Sequence, residues 1–475
     1  MKTKITLLLF ACFVVAACSK LHYGHGNDDD GGDDGTDDNV YNEINIDEGA
    51  GSAKERIEIS PNEIVVRYDE TSTPGERNSV RDKIRDEYPS IQIEECDCGN
   101  MDLWIFEPGI DELEIEGVVN GLPSRNPAGK VRGDRSFDIF LPEIETFTPI
   151  TDSGGEPSFI GIAGAADVNI AIIDTGIDYG REEISSATRL NLFPSSAFSD
   201  CLSTQSGWNY LGLNDLNLIN EGNQDILDQN GHGTYVTKIL TDELDLAGIT
   251  YQILPLKVFN GAGQGSYWDV LCAFAYVKDI NSHGGNISIV NASFGGGMPP
   301  EIFELDADGN KSLFGEMLEE LNDLNTLVVT SAGNKGEDNE AGSDRDFLSF
   351  FDAENLLSVG GYFDNQVRPI VDPVELDPRS NWGGSSIDIA LAFNNYQLIF
   401  DNPATGALQD EVTLAGTSYA AAAMSALAAK TVKEARDMGR ILEPGQLKET
   451  IFNNGSVVTG DFQDRIIDNK VILRE

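Results

Sequence analysis

Four stretches of the chain are apolar almost without interruption, and helix-patterned stretches separate them. The runs are VNIAIIDTG (168–176), YQILPLKVF (251–259), ISIVNASFG (287–295) and NTLVVTSAGN (325–334). Strands covered on both faces read this way, because neither face needs polar positions. Residues 233–243, 268–280 and 313–323 lie between them and follow helical spacing. Strand–helix alternation predicts an α/β fold: a doubly wound, mainly parallel sheet with right-handed crossovers, over residues 150–455. Ligands of such sheets bind beyond the carboxyl ends of the strands. Asp174, Ser293-Phe294-Gly295 and Asn334 all fall at those ends.

Ahead of this region the periodicity changes. IEISPNEIVVRY (57–68) is strand-like, and Thr73-Pro74-Gly75-Glu76 has capping-box spacing with proline at the first helical position. Val80, Ile84 and Tyr88 then recur at helical spacing. IQIEE (91–95) and MDLWIFE (101–107) alternate as strands around a turn at Asp97–Asn100. A weaker helix over 110–121 and a strand over 131–141 complete a βαββαβ order. Residues 56–145 are therefore expected to form a small ferredoxin-like α+β unit. PEIETFTPITDSGGEPSFIGIAG (142–164) has no sustained period and reads as a linker. Residues 456–475 are set apart as a C-terminal extension.

The first 55 residues are of another kind. Lys2 and Lys4 precede an apolar run from Ile5 to Ala16, which is too short to span a bilayer and has the form of an export signal. Its end, Val-Ala-Ala-Cys (15–18), resembles the bacterial lipoprotein box, which implies a lipid on Cys18 and a signal peptide over 1–18. Residues 19–55 include NDDDGGDDGTDD and predict an extended, self-repelling tether. Such a tail of acids behind a lipid-bearing cysteine resembles the surface-export signals of some Gram-negative lipoproteins. The whole chain has 80 acidic against 32 basic residues, a formal charge of −48. That balance excludes nucleic acid and anionic membrane surfaces as partners.

Candidate chemistry gathers at three places. In AGTSYAAAAMSALAAK (415–430) a Gly-Thr-Ser turn enters an alanine-rich helix. Ser418 thus sits at a helix N-terminus, where unpaired N–H groups favour a developing negative charge. Alone, this reads more readily as a serine N-cap on a buried helix. VNIAIIDTGID ends its apolar run at Asp174, and DQNGHGT sets His232 between glycines ahead of a helix. The chain has four histidines; His22 and His25 lie in the tether, and His283 reads as a loop histidine on the opposite edge. His232 is therefore the candidate base. With TSAGN (330–334), these blocks make the chain resemble the subtilisin-like serine peptidases, whose acid, base and nucleophile follow the order Asp-His-Ser.

The resemblance implies that Ser418 is the nucleophile, His232 its general base, Asp174 the group that orients the imidazole, and Asn334 an oxyanion donor. It also implies that Ser293, Phe294 and Gly295 pair with an extended substrate backbone. The GAGQGSY loop with Gly265 would flank the substrate opposite, and Ser331, Ala332 and Gly333 would line the cleft. Lys335 is expected either on the pocket rim, favouring acidic or neutral side chains, or as an exposed lysine without effect. The wording departs from the family at Tyr235, Tyr419 and Ala422, and Tyr419 is expected to narrow the site. Before a subtilase domain, the βαββαβ unit resembles the family's inhibitory propeptide.

The remaining expectations concern cysteines and metal. A bridge between Cys96 and Cys98, on one strand face, would be strained, so Cys201 and Cys272 are the candidate pair. No cofactor is required by the implied chemistry. Structural Ca²⁺ is common among such peptidases, but DADGNKS (306–312) lacks glycine at the sixth position and the closing glutamate of a calcium loop, and reads as a hairpin turn. The reading is an exported, lipid-anchored serine endopeptidase acting on proteins or peptides, with its own propeptide-like unit as a partner. The alternatives are an inactive member of the fold acting as a surface binding lipoprotein, and a peptidase restricted to one substrate.

Overall fold

The computed structural model describes residues 43–45, 56–125, 131–141, 166–181, 191–202, 204–211, 225–298, 312–341, 345–370, 373–401, 409–459, 462 and 464–474. The export signal, Cys18, the acidic tract, the linker 142–164 and residues 306–311 lie outside them. Among the described residues no helix is long and apolar enough to cross a membrane.

After a short strand β1 (Glu43–Asn45), the first folded stretch runs β2 (Arg56–Tyr68), α1 (Pro74–Glu87), β3 (Gln92–Cys96), β4 (Met101–Ile105), α2 (Glu112–Arg125) and β5 (Val131–Phe140). The expected cap of α1 is present: Thr73 Oγ1 accepts from Glu76 N, and the Glu76 carboxylate accepts from Thr73 N at 2.8 Å. The strands pair antiparallel in the order β5-β2-β4-β3. Alternation along β2 separates two cores. Ile64, Val66 and Tyr68 face α1 and α2 with Val80, Ile84 and Trp104. Val65 faces the other way with Leu103, Phe137 and Ile139, into a core shared with Phe274, Phe314 and Phe347. The second face of this small sheet is thus not solvated. It packs on the following domain.

That domain contains β6 (Val168–Asp174), β7 (Trp208–Asn209), α3 (His232–Leu246), β8 (Tyr251–Lys257), β9 (Gln264–Ser266), α4 (Tyr267–Ser282), β10 (Ile287–Ala292), β11 (Gly297–Met298), α5 (Leu313–Asp323), β12 (Leu327–Ser331), β13 (Arg345–Asp346) and β14 (Leu356–Tyr362). It continues through β15 (Ile389–Ala392), β16 (Tyr396–Asp401), β17 (Gln409–Ala415), α6 (Thr417–Asp437), α7 (Pro444–Asn454), β18 (Ser456–Val457) and β19 (Lys470–Val471). The main sheet has the order β18-β19-β15-β14-β12-β10-β6-β8-β7, parallel except for β18 with β19. The residues set apart as an extension supply the last two strands at one edge, β18 and β19. Successive residues of β6 feed opposite cores: Ile170 and Ile172 pack with α3 and α6, Ala171 and Ile173 with α4. Both faces are covered, which is why the strand runs are apolar throughout. Strand β6 lies between β8 and β10, so the direction of winding reverses at its carboxyl end.

The cysteine pairing differs from expectation. Cys96 pairs with Cys272, and Cys98 with Cys201, with Cα–Cα separations of 5.9 and 5.3 Å. Strand β3 ends at Cys96, and Cys98 lies in the following turn, so the two thiols leave the backbone at different points. That turn lies against α4, which carries Cys272, and against the bend that carries Cys201.

Candidate active site

The carboxyl end of β6 and the N-termini of α3 and α6 converge. Asp174, the last residue of β6, is buried and meets the His232 ring: Nδ1 lies 2.8 and 3.0 Å from its two carboxylate oxygens. Thr175 N donates to Asp174 Oδ1 at 2.7 Å, which orients the carboxylate, and Thr175 Oγ1 accepts from Gly233 N at 2.8 Å. Gly233 must be glycine, because a Cβ there would overlap the carbonyl oxygen of Gly176 and lie 3.1 Å from Asp174 Oδ1. Gly176, at φ +106°, brings the chain back against Ile226.

His232 opens α3 directly after Gly231, whose φ is +108°. The cap of this helix comes from Asp228, to which sequence reasoning assigned no role. Its Oδ1 accepts from Asn230 N and Gly231 N at 2.9 and 2.8 Å; its Oδ2 accepts from Thr234 N and Oγ1 at 2.9 and 2.7 Å. An aspartate a few residues ahead of the first helical residue was the available signal.

Ser418 enters the site from α6. Gly416, at φ +151°, turns β17 into the helix, and the buried alanines 420–422 let α6 lie against the sheet. The Ser418 hydroxyl donates to the carbonyl of Ser293 at 3.1 Å, and the Ser293 hydroxyl donates back to the Ser418 carbonyl at 3.1 Å. Asn334 is tied to the same turn. Its side-chain oxygen accepts from Thr417 N and Thr417 Oγ1, both at 2.8 Å, which leaves the amide NH₂ as the end able to donate toward an anion.

One cleft is lined by His232, Ser293, Phe294, Gly295, Ser331, Gly333, Asn334 and Ser418. Asp174 lies behind His232. Ala332 is buried in the neighbouring core and does not line the cleft. Gly265 sits on β9, opposite Ile139 of β5. Lys335 is exposed and outside the lining, its N–H donating to Asn381. Tyr419 does not narrow the cleft. Its side chain is fully buried, 5.9 Å from the His232 ring and beside Tyr396, because it leaves α6 on the face opposite the opening. Burial raises its hydroxyl well above the ordinary range, with Tyr235, Asp174 and Asp228 adding to the effect. Tyr235 packs on Phe400. His283 is exposed at the end of α4.

Two further residues of the cleft had no sequence signal. Asp346, on the two-residue strand β13, is buried against Gly295 and Gly333; a Cβ on Gly295 would overlap its carboxylate, so the small residues there make room for an acid. Leu141 follows β5 and is buried in the opening, with its N–H donating to Gly263 O at 2.7 Å. About 20 Å³ of open space remains, room for roughly one water. Leu141, at the end of the first unit, takes up part of this opening. Among the described residues no group of His, Cys, Asp and Glu is arranged to hold a metal ion.

The subtilase family model matches residues 165–470. An extracellular basic protease of Dichelobacter nodosus is 25% identical over 243 residues, 48% of this chain and 36% of that protein. A cell wall-associated protease of Bacillus subtilis is 25% identical over 177 residues, 36% of this chain and 15% of that protein. The chain thus spans about a third or less of the curated relatives it matches. Among solved structures, an epidermin leader peptide processing serine protease from Staphylococcus aureus aligns over 86% of this chain and 96% of its own, with a TM-score of 0.52 and 15% identity. At that identity the likeness concerns the fold.

Proposed function

The chain belongs to the subtilase family, and from that premise we propose that it is a serine endopeptidase working through Asp174, His232 and Ser418. The observation that carries the reading is the buried Asp174–His232 pair, opening on a cleft that also holds Ser418 at the start of α6. In the reaction, the Ser418 hydroxyl leaves the Ser293 carbonyl, passes its proton to Nε2 of His232 and attacks the scissile carbonyl. Asp174 holds Nδ1–H and stabilises the imidazolium that forms. The oxyanion takes hydrogen bonds from the Asn334 NH₂ and the Ser418 N–H, at a helix N-terminus that favours negative charge. The imidazolium then protonates the leaving amine, and water hydrolyses the acyl-enzyme by the same base.

Proteins and peptides are the substrate class. An extended substrate adds a strand against Gly263–Gly265 on one side and Ser293–Gly295 on the other, recognition that reads main chain and tolerates many sequences. Residues 56–141 act as an inhibitory propeptide whose end, at Leu141, occupies this track. The linker is cut by Ser418 between roughly residues 140 and 160, and the protein is exported and lipid-anchored at Cys18. No cofactor takes part in the proposed chemistry, and any structural Ca²⁺ would be bound away from it.

The test is a fluorophosphonate probe with N-terminal sequencing. Ser418 is expected to be labelled, His232→Ala to lose the label, and Ser418→Ala to leave the linker uncut. Peptidase activity surviving in Ser418→Ala would sink the assignment; a folded wild-type chain that neither labels nor cuts would favour an inactive binding protein.

A further inference from the structure

Both disulfides join the same two bodies. Cys96 and Cys98 belong to residues 56–141, whereas Cys272 and Cys201 belong to the domain that carries the cleft. A cut in the linker therefore leaves two covalent bonds across the interface. The first unit also blocks the cleft, through antiparallel pairing of Ile139 with Gly265 and through Leu141 in the opening. Around the bridges, Arg67 pairs with Glu316 at 3.5 Å and also with Glu320, and Lys278 pairs with Glu320 at 2.9 Å and also with Glu70.

We propose that the two bridges are a latch: linker cleavage alone yields a closed two-chain protein, and reduction of the bridges by an external dithiol releases the first unit from the cleft. The inference rests on the reading of this cleft as the substrate cleft. Each bridge is opened by thiol–disulfide exchange. A thiolate of the dithiol attacks one sulfur to form a mixed disulfide. Its second thiol then displaces the other partner, giving two cysteine thiols and one oxidised dithiol, with two electrons and two protons per bridge. Two dithiols open the latch. Cys98 and Cys201 are partly exposed, whereas Cys96 and Cys272 are buried in the shared core. The Cys98–Cys201 bridge is thus reached first, and loosening of the turn exposes the second.

The effect follows from effective concentration. A tethered unit sits at a local concentration of about millimolar, whereas a released one is diluted to the protein concentration. At about micromolar protein the blocking unit is diluted by up to about 10³-fold. Reduction is therefore expected to raise the rate of Ser418 labelling by at least about tenfold after the linker is cut.

The experiment uses the full chain with a cleavage site for a specific protease inserted in the linker, in wild-type and Ser418→Ala forms. After cutting, the two pieces are expected to migrate together on denaturing gels until a dithiol is added, and then to separate by size exclusion at micromolar concentration. Peptide mapping of the unreduced protein should find Cys96–Cys272 and Cys98–Cys201. Separation without reductant, or a Cys201–Cys272 bridge, would overturn the latch, as would labelling that is already full before reduction. The variants Cys98→Ser and Cys201→Ser, each leaving the buried bridge in place, should still hold the pieces together and should open at lower dithiol concentration. Thiol-dependent separation with no labelling in either state would reject the peptidase reading and leave the latch standing.

Discussion

The role of Asp228 can be tested with a single substitution. Its carboxylate is fully buried and accepts four hydrogen bonds from Asn230, Gly231 and Thr234, the residues that surround His232. Asp228→Ala orphans three buried N–H groups and one hydroxyl. Hydrogen bonds to a charged group contribute about 1.5–3 kcal/mol each, so a plain sum is about 6–12 kcal/mol. That exceeds what single substitutions usually cost, because the loop relaxes and takes in water; a loss of about 3–5 kcal/mol is expected. For a domain of this size the melting temperature should fall by about 5–10 °C. The start of α3 also loses its cap, and a displacement of His232 by about 1 Å would slow Ser418 labelling about 10²-fold. Asp228→Asn keeps one acceptor oxygen and should fall between the two. The assays are calorimetry and the fluorophosphonate labelling rate of the reduced protein, with KM and kcat on a peptide substrate. An Asp228→Ala protein with wild-type melting and labelling would refute the argument that this carboxylate holds the base in position.

Three other outcomes are expected. Asn334→Ala should lower kcat by about 10²–10³ with little change in KM, the magnitude known for loss of one oxyanion donor in subtilisin itself; an equal loss in KM would point to ground-state binding instead. Gly233→Ala sets a methyl against the Gly176 carbonyl and Asp174, so it should cost about 1–3 kcal/mol of stability and reduce labelling; a neutral effect on both would contradict the packing at that junction. Burial pushes the Asp134 carboxyl up to about 6, although Tyr267 and the Leu313 N–H donate to it and Arg132 and Arg67 lie near. Tyr267 and Leu313 belong to the second domain, so the protonated acid favours docking. Its contribution is present below about pH 4, the range of an unburied aspartate, and is lost as the pH rises through 6. The cut and reduced pieces should separate more at pH 7.5 than at pH 4.5 in size exclusion, and Asp134→Asn should flatten that difference.

Periodicity alone determined much of the architecture. Continuous apolar runs marked β6, β8, β10 and β12 because each is covered on both faces. The capping box marked α1, because Thr73 and Glu76 satisfy each other's backbone locally. Asp174, His232 and Ser418 could be singled out because each lies within two residues of a glycine, and a strand end and two helix starts need such turn residues whatever else surrounds them. Strands β14 and β15 were missed: Gly360-Gly361 interrupts the apolar run of the first, and the second has only four residues. The cysteine pairs, the arrival of Leu141 in the cleft, the place of Asp346 and the burial of Tyr419 were decided by tertiary structure. Cys96 and Cys272 are 176 positions apart, and Leu141 meets Gly263 across more than a hundred residues. Local patterns report which face of an element is apolar, but not which distant element covers it. Docking of one sheet face on α4 and α5 brings the cysteine pairs and Leu141 into place together, whereas Tyr419 is buried by packing within the second domain.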